Sequence, residues 1–415
     1  MDYKLIDKKD VENNLSELRN IVFEVTDACN LRCKYCGYSD LYEGYDKREN
    51  LNFPIHRAKL LIDYLYHNYW KKKTGKGYRR TISFGFYGGE PLLNVPFIKQ
   101  VIEYLEQLPY IGISFRYNMT TNAMLLNRYM DYLVEKDFAL LISLDGDEMG
   151  QSYRVDVNGL NSFDRVIQNI RLLKLTYPTF FKDKVNFNSV IHNRNSIESA
   201  CDFIKKEFGK LPRLSALSKT NVSEKEKFGE IYKNVIQDLE SSSKCETIEE
   251  ELFTNAPRTA RLLDYIRHNS GNIYQSYAQL LINQDKIKYP LTATCMPFFR
   301  KMFITVRGKI LQCEKIGHDF ALGQITDDKV ILDLQEVAEK HNKYTSIYLS
   351  ECKTCAIRSS CRKCVYISNN PLKDMKCNAY TTPNELQVYE KNTLHYLEEH
   401  PKLYEAILNR VIIRD

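Results

Sequence analysis

Cys29, Cys33 and Cys36 sit together in the segment Thr26-Asp-Ala-Cys29-Asn-Leu-Arg-Cys33-Lys-Tyr-Cys36. Thiolates hold iron–sulfur clusters, and a four-iron cluster usually takes four of them. Three thiolates leave one iron open to an external ligand. A zinc site completed by a distant residue is the alternative, but zinc favours paired C-x2-C spacing, which C-x3-C-x2-C matches poorly. Seven more cysteines fall at 295–377, and Cys201 and Cys245 stand apart. Cys201 lies in an apolar helical stretch and reads as core. Cys245 sits in a polar region and reads as incidental.

The background is that of an ordinary globular chain. It has 415 residues, 43% hydrophobic and 27% charged, with a net charge of +6. That excess permits an acidic partner without demanding nucleic acid. The N-terminus is charged from the start, unlike a signal peptide. No apolar run approaches the roughly 20 residues of a membrane helix. The cytoplasm is the expected location, with no membrane or nucleic-acid partner. Its reducing conditions argue against a disulfide framework for twelve cysteines and favour metal or redox chemistry.

Elements that could position the first cysteines follow from periodicity. Strand character appears at Ile21–Val25, Thr81–Tyr87, Ser114–Thr120, Leu140–Leu144, Lys184–Val190 and Arg213–Ser218. Helical patterns separate them at Ile55–Trp70, Phe97–Leu105, Leu125–Glu135, Phe163–Leu175 and Ser196–Phe208, with Lys225–Leu239 after the last. Alternation of this kind predicts an α/β fold with a parallel sheet, and six units predict a partial (β/α)6 TIM-like barrel. Chemistry is then expected at the C-terminal strand ends. Those ends carry Cys29, Gly88-Gly89-Glu90, Thr121-Asn122, Ser143 and Asn188 with Val190. Arg154 follows in a loop. Paired glycines allow close backbone approach, although a plain turn explains them equally well. The basic run from Lys71–Lys73 to Arg79–Arg80 reads as solvated surface.

The cysteine segment, with Tyr35 just before its last cysteine, resembles the radical S-adenosylmethionine superfamily. In that family the open iron is chelated by the amino and carboxylate groups of S-adenosylmethionine. Reductive cleavage then gives a 5′-deoxyadenosyl radical that removes a hydrogen from an unactivated C–H bond. The resemblance implies further roles. Gly88, Gly89 and Glu90 look like the motif that contacts the cofactor's amino group, and Ser143 and Arg154 look like its ribose and carboxylate contacts. Asn188 and Val190 look like the adenine side, and Tyr35 and Asn122 complete the expected cofactor-facing set.

The later cysteines are Cys295, Cys313, Cys352-x2-Cys355-x5-Cys361-x2-Cys364 and Cys377. Paired C-x2-C alone would suit a zinc ribbon. Behind such a barrel the layout resembles the SPASM domain, which carries two auxiliary 4Fe-4S clusters. The usual last spacing is x3 where this chain has x2. The resemblance gives Cys352, Cys355, Cys361 and Cys377 to an outer cluster, and Cys295, Cys313 and Cys364 to an inner one. Met296–Gln312 supplies no fourth inner thiolate. Another residue completes the inner cluster, or one iron is open to substrate. Glu314 matches the acid that serves as substrate base in sulfatase-maturing relatives; a charged surface residue is the plainer reading. The implied cofactors are three 4Fe-4S clusters and S-adenosylmethionine.

The expected divisions are a barrel at 1–220, a helical bridge or insertion at 221–290, a SPASM auxiliary-cluster domain at 291–382 and a C-terminal helix at 383–415. The leading functional expectation is an oxidoreductase that matures a ribosomally made precursor peptide (RiPP maturation), installing a thioether, C–C or C–O cross-link. The second is an anaerobic sulfatase maturase that oxidises Cys or Ser to formylglycine. The third is a non-catalytic zinc-bearing binding protein. With the first strand near Ile21, the separate leader-binding domain of many peptide maturases is not expected at the N-terminus. Leader recognition is therefore expected from a separate protein or from residues 221–290. A flavodoxin or ferredoxin is the expected electron donor, and a monomer the expected state.

Overall fold

Strands that are apolar on both faces need cover on both faces, which parallel packing with crossover helices provides. In the computed structural model, which describes residues 5–73, 79–269, 292–358, 361 and 363–410, that arrangement forms. After a short helix α1 (Lys8–Ser16), the strands β1 (Asn20–Thr26), β2 (Arg80–Gly88), β3 (Ile113–Thr121), β4 (Ala139–Ser143), β5 (Val185–Ile191) and β6 (Arg213–Ala216) run parallel. Their order in the sheet is their order in the chain. The crossovers contain α2 (Ile55–Leu65), α3 (Val95–Gln107), α4 (Leu126–Glu135), the single turn α5 (Glu148–Gln151), α6 (Phe163–Thr176), α7 (Pro178–Lys184) and α8 (Ile197–Phe208).

Local sequence accounts for these elements. In α3, Phe97, Ile98, Val101, Ile102 and Leu105 are buried at helical spacing. Each such side chain contributes about 1.5–3 kcal/mol when fully buried. Helix α8 opens on a capping box between Ser196 and Ser199 and closes on Gly209 at φ +69°, a left-handed conformation that glycine adopts without a Cβ penalty. Phe23 of β1 packs against Phe53 and Phe97, with ring centroids 5.6 and 5.9 Å apart. The expected helix Ile55–Trp70 ends as α2 at Leu65, and Tyr66–Trp70 form a π-helical turn. The expected helix Lys225–Leu239 is two, Lys225–Ile231 and Val235–Glu240. It breaks because Asn234 caps the second, accepting the N–H groups of Ile236 and Gln237.

The sheet also extends beyond β1. Strand β7 (Met302–Ile304) pairs parallel with it, Phe23 opposite Ile304. Then β8 (Lys309–Leu311), β9 (Gly323–Ile325) and β10 (Val330–Ile331) add antiparallel. The buried Glu24 of β1 accepts the Val306 N–H at 2.8 Å, fixing the β7–β8 turn.

By packing, the chain forms two units: Ile6–Tyr232 with Cys295–Lys343, and Met1–Leu5, Lys233–Thr294 and Tyr344–Asp415. These borders differ from the expected divisions because β7–β10 hydrogen-bond into the barrel sheet. Residues 74–78 of the basic run, 270–291 of the bridge and 411–415 of the C-terminal helix lie outside the described residues. In the second unit, Leu262, Leu263, Ile266 and Ile407 form an apolar cluster, and Tyr396 donates to Glu249 at 2.9 Å. Its terminal helix is two, Pro383–Glu399 and Pro401–Arg410. Among the described residues, no helix is long and apolar enough to cross a membrane.

Candidate active site

The loop leaving β1 is held by its own acid. Asp27 is buried and accepts the N–H groups of Glu49 and Leu51 at 3.0 and 2.6 Å. Cys29, Cys33 and Cys36 follow and border one cleft of about 830 Å³, together with Gly88 and Gly89. Cys29 Sγ accepts the Leu31 N–H at 3.4 Å, and the Asn122 amide nitrogen approaches it at 3.8 Å. Burial pushes the Cys29 thiol up to about 11 and the Cys33 thiol up to about 12. A thiolate in such surroundings needs a cation beside it, and a coordinating metal deprotonates a thiol outright. The donor set and its desolvation therefore fit an iron–sulfur cluster. Among the described residues, no three His, Cys, Asp or Glu side chains are grouped as a single metal ion needs.

Gly88 and Gly89 are required by close approach of the chain itself. A Cβ on Gly88 would collide with the carbonyl oxygen of Thr26, and one on Gly89 with that of Ala28. The Gly89 N–H donates to Thr26 O and the Glu90 N–H to Ala28 O, both at 2.9 Å. This pins the cysteine loop to the end of β2. The Glu90 carboxylate points inward, 1% exposed, and accepts from Leu92 N, Thr121 Oγ1 and Asn122 N. It is committed to holding the end of β3, so its part toward a ligand is positional.

Arg154 is buried and paired with Asp145. Its Nε and Nη2 donate to both oxygens of Asp145, at 2.9 and 3.1 Å. That pairing holds the guanidinium in place through Nε and Nη2. Asp145 also accepts the Tyr35 hydroxyl and the Val190 N–H, the latter at 2.9 Å. Tyr35 is thus anchored by its hydroxyl below the cysteine loop. Ser143 stands opposite Asn188 in the β4–β5 ladder, and Asn188 accepts the Ser215 hydroxyl at 2.8 Å. Asn122 donates to Asn30 at 2.8 Å. Sequence reasoning missed Asp145, Asp27, Tyr38 and Arg48, the last three also lining the cleft. The Arg48 guanidinium sits 3.6 Å from the centre of the Tyr38 ring.

The later cysteines divide between the units. In the second unit, Cys352, Cys355, Cys361 and Cys377 line a single pocket, the four expected for the outer set. Burial pushes the Cys352 thiol up to about 11, and Glu351 accepts the Cys377 N–H at 2.7 Å. Cys364, also in this unit, precedes the turn Val365–Ser368, whose first N–H donates to Thr294 at 2.9 Å. Cys295 and Cys313 belong to the first unit. Next to Cys313, Glu314 is ion-paired with Lys301 at 2.9 Å. Burial pushes its carboxyl up, but the Lys301 charge prevails and holds it below the usual range.

Residues 23–205 match the Radical SAM superfamily. The chain carries a radical SAM domain. That domain implies a 4Fe-4S cluster and S-adenosylmethionine, and its sheet is the mixed α/β sheet described above. Over 198 residues the chain is 28% identical to the cysteine-type anaerobic sulfatase-maturating enzyme of Clostridium novyi, covering 46% of this chain and 49% of that one. Over 179 residues it is 25% identical to the radical SAM cyclopropyl synthase TigE of Paramaledivibacter caminithermalis, covering 42% and 36%. The chain therefore spans half or less of these two relatives. The structure of native anSMEcpe with bound AdoMet and Cp18Cys peptide shares the radical SAM fold at TM-score 0.59 and 18% identity, covering 94% of this chain and 99% of that one.

Proposed function

We propose that the chain is a radical SAM/SPASM peptide maturase that acts on a ribosomally made precursor and installs a thioether, C–C or C–O cross-link. The observation that carries this reading is the cleft. It is lined by all three motif cysteines and both glycines, and its other residues include Arg32, Lys34 and Arg194 as well as Asp40, Glu224 and Glu230. Ligand pockets for one small molecule run from about 300 to 1,000 Å³, so S-adenosylmethionine fits with part of an extended peptide on the mixed-charge rim. Bound there, the cluster and S-adenosylmethionine supply the one-electron chemistry that activates a C–H bond.

This chain's own residues do the rest. Gly88 and Gly89 seat the cysteine loop, and Tyr35, Asn122, Ser143, Arg154, Asn188 and Val190 are assigned to the cofactor's surroundings. Glu314, kept ionised by Lys301, takes the proton released as the new bond forms. Cys352, Cys355, Cys361 and Cys377 are assigned to one auxiliary cluster, and Cys295, Cys313 and Cys364 to another. A flavodoxin or ferredoxin is the proposed donor, a separate leader-binding protein the proposed partner, and the cytoplasm the proposed location.

The second reading, formylglycine formation on a Cys or Ser, is favoured by the named activity of the Clostridium novyi relative. Co-expression with a candidate precursor peptide encoded near this gene, followed by mass spectrometry, tests the pair. A peptide lacking two hydrogens supports the cross-link. Formylglycine in a Cys- or Ser-containing sulfatase peptide supports the second reading. If the precursor emerges unchanged, the leading reading fails.

A further inference from the structure

Next to the cysteine loop the chain presents a small exposed surface that the proposed chemistry has not used. Residues 154–162 form a hairpin, in which the Asp156 N–H donates to Leu160 O at 2.8 Å and the Ser162 N–H to Arg154 O at 3.0 Å. Its turn carries Val157 and Leu160, 62% and 65% exposed. The Asn161 amide donates to Glu148 O at 2.8 Å, which ties the hairpin to α5, whose Met149 is 62% exposed. These three apolar side chains lie outside the lining of the cleft. The same stretch is bonded to the cysteine loop. The Arg32 N–H donates to Val155 O at 2.7 Å and the Lys34 N–H to Tyr153 O at 3.0 Å. Leu31 bridges Asp156, and the Leu31 N–H donates in turn to Cys29 Sγ at 3.4 Å.

The charge beside this patch is mainly positive. Arg32, Lys34 and Arg194 are exposed. Arg32 donates to the carbonyl oxygens of Cys29 and Leu31, and Arg194 to Ser152 Oγ at 3.0 Å. None of the three has a carboxylate partner among the described residues. The nearby acids are largely occupied by their own turns: Asp147 accepts the Gly150 N–H, and Asp156 the N–H groups of Asn158 and Leu160. Glu148 remains exposed.

We infer that Met149, Val157 and Leu160, edged by Arg32, Lys34 and Arg194, form the docking surface for an acidic one-electron carrier protein. This rests on the reading of Cys29, Cys33 and Cys36 as cluster ligands. Surface cations without partners attract an acidic protein and speed its encounter. Electron-transfer encounters bury less than about 1,200 Å², so a few apolar side chains suffice for a contact that must part after each transfer. Transfer rates fall steeply with distance, and this surface is one backbone hydrogen bond away from the residues on either side of Cys33. Because the apolar side chains lie outside the cleft lining, a docked carrier leaves the cleft open. Each encounter oxidises the carrier by one electron and reduces the cluster by one; no bond forms or breaks, and no proton moves.

The test uses the whole protein, anaerobically reconstituted, with a flavodoxin and a ferredoxin as probes. Calorimetry measures their binding directly, and 5′-deoxyadenosine formation is followed separately with the reduced carrier and with dithionite, which needs no docking surface. The double variant V157D/L160D sets two carboxylates against an acidic partner. Its carrier affinity and carrier-driven rate are expected to fall at least about tenfold, while iron content and the dithionite-driven rate stay at wild type. Wild-type binding should weaken as salt is raised from about 50 to 200 mM, since exposed charges are then screened. Equal carrier affinity in V157D/L160D and wild type overturns the inference, as does binding of neither carrier by the wild type. Where V157D/L160D fails to take up iron, V157S/L160S carries the test: it removes the apolar contact without adding charge, and unchanged carrier affinity again overturns the inference. A wild type that makes no 5′-deoxyadenosine even with dithionite would instead sink the reading of the three cysteines.

Discussion

Glu90, just past the end of β2, accepts the backbone N–H of Asn122, just past the end of β3, at 2.8 Å. The acid is buried, and burial pushes it up to about 7. Its folded value thus exceeds its unfolded value near 4.5, so the native state binds more protons between them. Stability from this group is fully present below about pH 4.5 and is lost as pH rises through about 7, by about 3 kcal/mol in all. Glu90→Gln should flatten that part of the profile. It also places a donor against the Asn122 N–H and lowers stability near pH 4.5, where the wild-type acid is uncharged. Denaturant midpoints between pH 4.5 and 8 check both; a mutant profile parallel to wild type would contradict the assignment.

The paired glycines can be tested by adding a single methyl group. Gly89→Ala forces the Ala28 carbonyl to move, and overpacking of this kind costs about 1–3 kcal/mol. Because that carbonyl belongs to the residue before Cys29, iron uptake should fall along with the unfolding midpoint. Normal iron content with normal stability would show that the loop tolerates the shift.

The three clusters proposed above would amount to about twelve irons after anaerobic reconstitution. Replacing Cys29, Cys33 and Cys36 together by Ala should remove about four of them and abolish 5′-deoxyadenosine. Replacing Cys352 and Cys377, which share a pocket, should also remove about four but spare S-adenosylmethionine binding. Iron analysis and calorimetric titration separate the cases. Full cleavage activity in the triple variant excludes the first assignment.

Lys301→Met removes the cation that keeps Glu314 ionised. The Glu314 carboxyl should then titrate higher, and the acid limb of the peptide-turnover pH profile should move upward. Glu314→Gln should slow turnover without weakening cofactor binding. If the limb stays in place in Lys301→Met, some other group takes the proton.

The barrel was legible because its strands are long and apolar. Expected Ile21–Val25 and Thr81–Tyr87 are observed as Asn20–Thr26 and Arg80–Gly88. Strands β7–β10 have two or three residues each, too few for a period-two pattern to register. The three cysteines were legible because spacing along one loop fixes their proximity. Asp145 was not, since its role depends on Arg154, Tyr35 and Val190, each meeting it from a different part of the chain. Arg154 illustrates the same limit: sequence supplied a guanidinium near the site but not the carboxylate that occupies it.

The parallel pairing of β1 with β7 also bears on biosynthesis. One edge of β1 is covered by Met302–Ile304, residues made some 280 positions later. On the ribosome, at roughly 5–20 residues per second, that edge stays unpaired for many seconds after β1 and β2 can meet. An open, apolar strand edge invites pairing with other chains, and contacts this distant in sequence form slowly. The nascent barrel is therefore most exposed to aggregation next to the strand that leads into its first cysteines. Weaker induction, which lowers the concentration of chains whose edge is still open, should raise the soluble yield more than extra iron does.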